Sequence, residues 1–303
     1  MRQFLLDVEL APFQKLSVTG KDFKYLAQVL RLCVGNSFEG RLPSGELCTL
    51  FVVERTKNRI VLQRIENCET DKTALKSNCA DSTGSTGSTI KGGMNAALVA
   101  QNETSCFLPN GSCCGYGAAI WLLQCMPKAS KVDDIVRQCT EIGVEKIFLV
   151  NSDRSVSESK KNSGLKIERW NRIIKEARQQ SASPVNTVLH EPLAMKDMLK
   201  TLKICLEERY AITGKEPVLL VLTEAPLEAK SLHGLVAGKP STVVVAVGAE
   251  GGISPAELKM LKEFGFEMLH FSTNVLRSET AAIYGVSTVQ SIMTEFDLWL
   301  YKE

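Results

Sequence analysis

From residue 118 to the end of the chain, apolar runs of strand length alternate with segments whose apolar residues recur every three or four positions. That alternation constrains the fold more than any other feature, because repeated strand–helix–strand units pack as a parallel sheet covered by helices. Ala118 to Cys125 reads as a strand. Helix 131–142 presents Val132, Ile135, Val136, Cys139 and Ile142 on one face, and strand 145–150 follows. Helix 166–181 buries Trp170, Ile173, Ile174 and Ala177. Strand Thr187 to His190 leads into helix 195–210, with Met195, Met198, Leu199, Leu202 and Leu206 inward. Val218 to Leu222 and Thr242 to Val247 are continuous apolar runs, the pattern of strands buried on both faces. A last β-α-β-α unit, which includes strand Glu267 to Phe271, ends in helix 279–296. The expectation is an α/β domain with helices on both faces. Periodicity alone suggests the doubly wound strand order 3-2-1-4-5-6.

The first 65 residues have another texture. Phe4 to Val8 reads as a strand. Thr19 and Asp22 precede a helical pattern of Phe23, Leu26, Val29, Leu30 and Cys33, which Gly35 stops. Ser37 to Arg41, Leu47 to Val53 and Arg59 to Ile65 are short β-rich runs, with turns at Pro43-Ser44-Gly45 and Lys57-Asn58. This is the pattern of a small barrel-like β domain with one helix. Residues 66–117 break it. The run from Asp81 to Thr89 reads DSTGSTGST, and its surroundings are mostly Asn, Ser, Thr, Cys and Gly. Such a stretch buries too little apolar surface to offset its ordering entropy, which predicts a mobile linker or insertion. The expected organisation is 1–65, 66–117 and 118–303.

Charge narrows the partners. The net charge is only +2, but residues 1–65 hold 10 Lys and Arg against 6 Asp and Glu. That local excess suits phosphate contacts. The 10 cysteines contain no Cys-x-x-Cys, and His190, His233 and His270 are far apart in sequence, so zinc-ligand spacing is absent. No apolar run approaches the roughly 20 residues of a membrane span. Asp7 and Glu9 interrupt any signal-peptide core. The expectation is a cytoplasmic chain with free thiols, no metal and no membrane span.

Ligands of open α/β sheets bind beyond the C-terminal ends of the strands, and three loops there are unlike ordinary connectors. The first reads Thr223-Glu224-Ala225-Pro226. The second is Gly248-Ala249-Glu250-Gly251-Gly252-Ile253-Ser254, and Ser254-Pro255-Ala256-Glu257 forms a capping box with Pro at the first helical position. Its glycines allow a sharp turn and close approach to a ligand. In the third, Ser272 to Thr280, Ser278 is placed to cap the terminal helix and Glu279 favours its positive end. Each loop also has a plain reading, as a tight or well-capped turn that binds nothing.

The combined pattern Gly-x-Glu-Gly-Gly-Ile-Ser-Pro-x-Glu followed by Val-Leu-Arg-Ser-Glu-Thr-Ala resembles the RsmE family. These are SPOUT-class methyltransferases acting on N3 of a uridine in 16S ribosomal RNA. Lys128-x-x-Lys131, Thr140-Glu141-Ile142-Gly143-Val144, Asp153-Arg154-Ser155, Arg169-Trp170 and Gln180-Ser181 match as well. So do Val18-Thr19-Gly20 and Val29-Leu30-Arg31-Leu32 near the N-terminus. Ala249 stands where the family generally has Pro, and Ser272 where Gly is common. The resemblance implies a PUA-like RNA-binding domain, then a SPOUT domain with a C-terminal deep trefoil knot, working as a homodimer. It also implies S-adenosylmethionine (SAM) as cofactor, held by Leu222, Thr223, Glu224, Gly248, Glu250, Gly251, Gly252, Phe271, Val275, Leu276, Arg277, Thr280 and Ala281.

Methyl transfer to uridine N3 requires loss of the N3 proton, so the site must orient the base and stabilise its anion. Arg277 and Arg154 are the candidate cations, and Glu279 is an orienter or proton acceptor. Lys128, Lys131, Arg154 and Arg169 have motif support as RNA contacts, and Arg2, Lys24 and Arg31 are candidate phosphate contacts. The basic residues Lys160, Lys161, Lys166, Arg172, Lys175 and Arg178 around helix 166–181 fit a solvated face. Two rivals are an RNA-binding SPOUT-fold protein without catalysis and a nucleotide-binding Rossmann oxidoreductase. The second requires Gly-x-Gly-x-x-Gly after the first strand, and here the glycine loop comes late.

Overall fold

The computed structural model describes residues 3–65, 118–155, 163–224, 231–271 and 274–298. The 66–117 linker, Arg2, Lys160, Lys161, Ala225, Pro226, Ser272 and Thr273 of the sequence reading lie outside the described residues. The described residues form two units. The smaller takes residues 11–36 and 48–65; the larger takes 3–10, 37–47 and the residues from 118 onward.

In the smaller unit β2 (Lys15–Thr19) runs antiparallel to β5 (Arg59–Ile65), which pairs on its other side with β4 (Leu47–Arg55). Val52, Ile60, Leu50 and Leu62 alternate inward and are fully buried. The helix differs from expectation. α1 covers Gly20–Lys24 and passes into a π turn at Tyr25–Val29, closed by Leu30 N–H donating to the Tyr25 carbonyl. Arg31 then takes the left-handed region at φ 54°, and Leu32 N–H donates back to the Leu26 carbonyl. That is the closing bond of a Schellman-type stop, so Arg31 ends the helix and Gly35 has no part in it.

The larger unit carries the short pair β1 (Phe4–Leu5) and β3 (Ser37–Arg41), and the long parallel sheet. Its elements are β6 (Ala119–Cys125), α2 (Ala129–Ile142), β7 (Lys146–Asn151), α3 (Ser163–Ser181), β8 (Val188–Ala194), α4 (Met195–Thr213) and β9 (Val218–Leu222). Then come α5 (Leu232–Val236), β10 (Thr242–Val247), α6 (Pro255–Phe264), β11 (Glu267–Leu269) and α7 (Ser278–Leu298). All five strand pairings are parallel. β11 stops at Leu269, short of the expected Phe271, because its partner β9 ends opposite it at Leu222.

Both faces of the sheet are buried, and the period-2 alternation sorts each strand between two cores. Ile120, Leu122, Ile147, Leu149, Val243 and Val245 face α2, α3, α5 and α7. Trp121, Leu123, Phe148, Val150, Val244 and Ala246 face α4 and α6. On that second face the Glu145 carboxylate accepts from Trp121 Nε1 at 2.8 Å and pairs with Arg209. Both charged residues are buried, so the hydrogen bonds offset desolvation and fix where α4 lies.

The strand order is β11-β9-β10-β6-β7-β8. Counted within the domain that is 3-2-1-5-4-6, not the doubly wound 3-2-1-4-5-6. The fifth strand, β10, has taken the place beside the first, β6, and pushed β9 outward. The alternating pattern suggests the doubly wound order only as the common arrangement for such units. Which strands pair depends on contacts distant in the chain, so this exchange was not legible from it. α7 then packs against β6 and β10, and Gly285 brings it close: a Cβ there would lie 2.9 Å from Leu222 Cδ1.

Candidate active site

Three loops leave the sheet together at the C-terminal ends of its strands. The residues after β9, β10 and β11 leave the sheet from adjacent strands and line a cavity of about 590 Å³. That volume lies in the range of small-molecule sites.

The second loop is folded on itself. Gly252 takes φ 75° and donates its N–H to the Ala249 carbonyl at 2.9 Å. A Cβ on Gly248 would lie 2.8 Å from the Gly252 carbonyl carbon. The capping box forms as read: Ser254 Oγ accepts from Glu257 N–H at 3.2 Å, and Glu257 Oε2 accepts from Ser254 N–H at 3.1 Å. Ser254 Oγ also donates to Asp153 Oδ2 at 2.8 Å, and Glu257 Oε1 accepts from Asp153 N–H at 3.0 Å. Replacing Ser254 with alanine should cost about 1 kcal/mol of stability through the lost cap, measured as a lower midpoint in thermal unfolding; an unchanged midpoint would count against the cap's contribution.

The third loop is tied to the second, but not as the sequence suggested. α7 begins at Ser278 itself, and the Ser278 hydroxyl donates to the Gly248 carbonyl at 2.5 Å instead of capping the helix. Gln124 completes the knot of bonds. Its Nε2 donates to the Cys125 carbonyl at 2.8 Å and to Ser278 Oγ at 3.0 Å. Gln124 was missed in the sequence, where its signal was a lone amide inside the apolar run of β6. Cys125 beside it is no nucleophile: burial, with a smaller push from Glu257, raises its thiol to about 12.

The cavity has a charged side and a neutral side. On the charged side Lys131 Nζ lies 2.9 Å from Glu279 Oε2 and 3.4 Å from Glu250 Oε1, and Glu250 Oε1 accepts from Lys128 N–H at 3.1 Å. The hydrogen bond to Glu279 holds the Lys131 ammonium above its ordinary value. Partial burial works against ionised Glu250 and Glu279, but it is outweighed by the Lys128 N–H and Lys131 for Glu250, and chiefly by Lys131 for Glu279. Both carboxyls stay below their usual range. On the neutral side Thr223 N–H donates to the Leu269 carbonyl, and His270 Nδ1 donates to the Thr223 carbonyl at 3.0 Å. Thr223 Oγ1 is buried with no hydrogen-bond partner. His270 also lines the cavity and was missed; its place just after a strand end was the available signal.

Of the residues assigned to the cofactor, Leu222, Thr223, Glu224, Gly248, Glu250, Gly251, Gly252, Phe271, Val275, Leu276, Arg277 and Ala281 line this cavity, and Thr280 does not. Arg154 and Arg277 line it as well. Glu279 stands behind Lys131, which the sequence placed among the RNA contacts. The Lys128, Lys24 and Arg31 side chains are exposed and do not line it, and Arg169 pairs with Asp133, whose other oxygen accepts from Trp170 Nε1. Among the described residues, no three His, Cys, Asp or Glu side chains converge on a metal site, and no helix is long and apolar enough to cross a membrane.

Residues 117–290 match the family model of the RNA methyltransferase domain. The chain belongs to this family. Within the RNA methyltransferase family, the chain is 30% identical over 178 residues to ribosomal RNA small subunit methyltransferase E 2 of Borreliella burgdorferi, covering 56% of this chain and 65% of that one. It is 34% identical over 163 residues to ribosomal RNA small subunit methyltransferase E of Aquifex aeolicus, covering 53% and 62%. The matches thus span somewhat under two thirds of these relatives. A crystal structure of ribosomal RNA small subunit methyltransferase E from Neisseria gonorrhoeae, bound to S-adenosyl methionine, has the same fold, with a TM-score of 0.67 at 18% identity over 96% of this chain and 98% of that one. The resemblance read from the RsmE motifs is borne out.

Proposed function

We propose that this chain is a SAM-dependent methyltransferase that methylates N3 of a uridine in 16S ribosomal RNA. The observation that carries the reading is the convergence of all three motif loops on one cavity. The names of the two relatives supply the ribosomal substrate, and the SAM-bound Neisseria structure supplies the cofactor. The RNA-binding PUA-like domain at 1–65, the linker at 66–117, the knot, the homodimer and a cytoplasmic location belong to the same reading.

The cavity fits the methyl donor on its own evidence. Thr223 Oγ1 lacks a partner, and a buried unpaired hydroxyl costs about 1–3 kcal/mol unless something bonds to it. The Thr223 and His270 side suits a neutral heterocycle. On the other side Glu250, Lys131 and Arg277 present both signs of charge to the cavity, which suits a ligand that itself carries both, as the methionine part of SAM does. When bound, SAM supplies an electrophilic methyl group. The chain's residues supply the rest. Arg277, exposed at the cavity wall, stabilises negative charge on the uracil as N3 loses its proton. Glu279, held ionised by Lys131, is a weak base and orients its neighbours. A uridine stacked in RNA must first be extruded, at a cost of a few kcal/mol.

Incubating the protein with SAM and small ribosomal subunits from a strain lacking the modification tests this. Mass spectrometry should find one methylated uridine, at N3; no transfer, or a methyl on another atom, would overturn the reading. The pH dependence follows from the bridge. The carboxyls are depressed, so their contribution is present above the usual carboxylate pKa and lost as pH falls below roughly 4. Lys131 is raised, so its contribution holds until pH rises past roughly 10. SAM affinity should therefore vary little with ionisation of this bridge between about pH 5 and 9, while the transfer rate rises with pH as N3 deprotonates. The donor's own α-amino group titrates at about pH 8, so the acid limb is the diagnostic one. A steep fall of SAM affinity as pH drops from about 7 to 5, measured by calorimetry, would contradict the bridge.

A further inference from the structure

We infer that Arg154 acts through the glycine loop: it is a positioning residue that holds Gly251 and Gly252 in the shape that receives the methyl donor. The inference rests on the donor site proposed above. Read from sequence, Arg154 is a free cation for uracil or RNA, and the glycines serve close approach of a ligand. The geometry points elsewhere.

Arg154 lies across the loop. Its Nη1 donates to the Gly251 carbonyl at 2.7 Å. A Cβ on Gly251 would stand 3.3 Å from Arg154 Cβ and 3.5 Å from Arg154 Cδ, and one on Gly252 would stand 3.7 Å from Arg154 Nη1. Gly251 is outside the left-handed region, so its backbone has no need of glycine. What the missing side chain at 251 makes room for is the Arg154 stem. Arg154 is itself held from behind. Ser155 N–H donates to the Ser152 carbonyl at 3.0 Å, closing a tight turn, and Asp153 is fixed at both its N–H and its carboxylate by the first turn of α6. Since α6 begins where the glycine loop ends, the segment after β7 braces the loop at its middle through Arg154 and at its end through Asp153. A cation recruited for RNA needs none of these contacts.

The test is a double-mutant cycle read by calorimetric titration with SAM, on Arg154→Ala, Gly251→Ala, the double variant and Arg154→Lys, with thermal unfolding to verify folding. Losing a charge-assisted bond to the loop should weaken SAM binding about tenfold in Arg154→Ala. The loss should appear mainly as a higher KM for SAM: turnover at saturating SAM and affinity for ribosomal RNA should fall by less than SAM affinity does. Arg154→Lys keeps the stem over Gly251 and should recover most of the SAM affinity. Gly251→Ala should weaken binding alone and cost less in the Arg154→Ala background, where the contacts with Arg154 Cγ and Cδ are gone and only the 3.3 Å contact with Cβ remains. Unchanged SAM affinity in Arg154→Ala, with lost RNA affinity or lost turnover, would overturn the inference and make Arg154 a direct contact. Strict additivity in the cycle would overturn it as well. Absence of SAM binding in the unaltered chain would instead remove the donor reading of the cavity, and this inference with it.

Discussion

Replacing Gly248 with alanine should weaken SAM binding about 100-fold while leaving the chain folded. The added Cβ would sit 2.8 Å from the carbonyl carbon and 2.9 Å from the Cα of Gly252, and 3.1 Å from the Ile253 nitrogen. All three are backbone atoms, so no rotamer change relieves the contact. The loop has to open, which breaks the Gly252 N–H bond to Ala249 and shifts the Gly248 carbonyl away from the Ser278 hydroxyl. That carbonyl joins the second loop to the third, so both walls of the cavity move together. A displacement near 1 Å at such a site costs on the order of 100-fold. Most of the sheet core lies away from the loop, so circular dichroism should stay close to that of the unaltered chain. Calorimetry showing near-normal SAM affinity in a folded Gly248→Ala protein would contradict the assigned geometry.

Replacing Arg277 with alanine should act on the chemical step. Arg277 precedes α7, its carbonyl accepting from Ala281 N–H at 2.7 Å, and its exposed side chain lines the cavity. A fixed cation beside developing negative charge acts where the uracil anion forms, and removing such a group lowers turnover by about 10²–10³. Single-turnover transfer at saturating SAM should show that loss, with a much smaller change in SAM affinity. Arg277→Lys should restore part of the rate, since it keeps the charge and loses the planar fork. If the alanine variant kept its single-turnover rate and lost only RNA affinity, Arg277 would be a holding contact and the charge on uracil would need another partner.

The two-faced parallel sheet was legible in the sequence because burial on both faces leaves continuous apolar runs, as in Val218–Leu222 and Thr242–Val247. The capping box was legible because it depends on four consecutive residues. What failed to show was set by contacts distant in the chain. The placing of β10 beside β6 depends on pairing between Thr242–Val247 and Ala119–Gln124, which no local period encodes. Arg31 ending the first helix in a left-handed conformation breaks the expectation that glycine fills that place. Ser278 looked like a cap because its local sequence is that of one; the Gly248 carbonyl, 30 positions away, claims its hydroxyl instead. The Lys128-x-x-Lys131 motif marks Lys131 as an RNA contact, and its ion pairs at the cavity were not legible there. Its two carboxylate partners, Glu250 in the second loop and Glu279 in the first turn of α7, come more than a hundred residues later.

A crystal structure of the chain grown with SAM is the most direct examination of this account. The donor should occupy the space walled by residues 222–224, 248–253 and 274–278, its heterocycle beside Thr223 and His270 and its charged methionine part toward the side of Lys131, Glu250 and Arg277. Donor density at another place on the chain, or loops that part instead of enclosing it, would contradict the account.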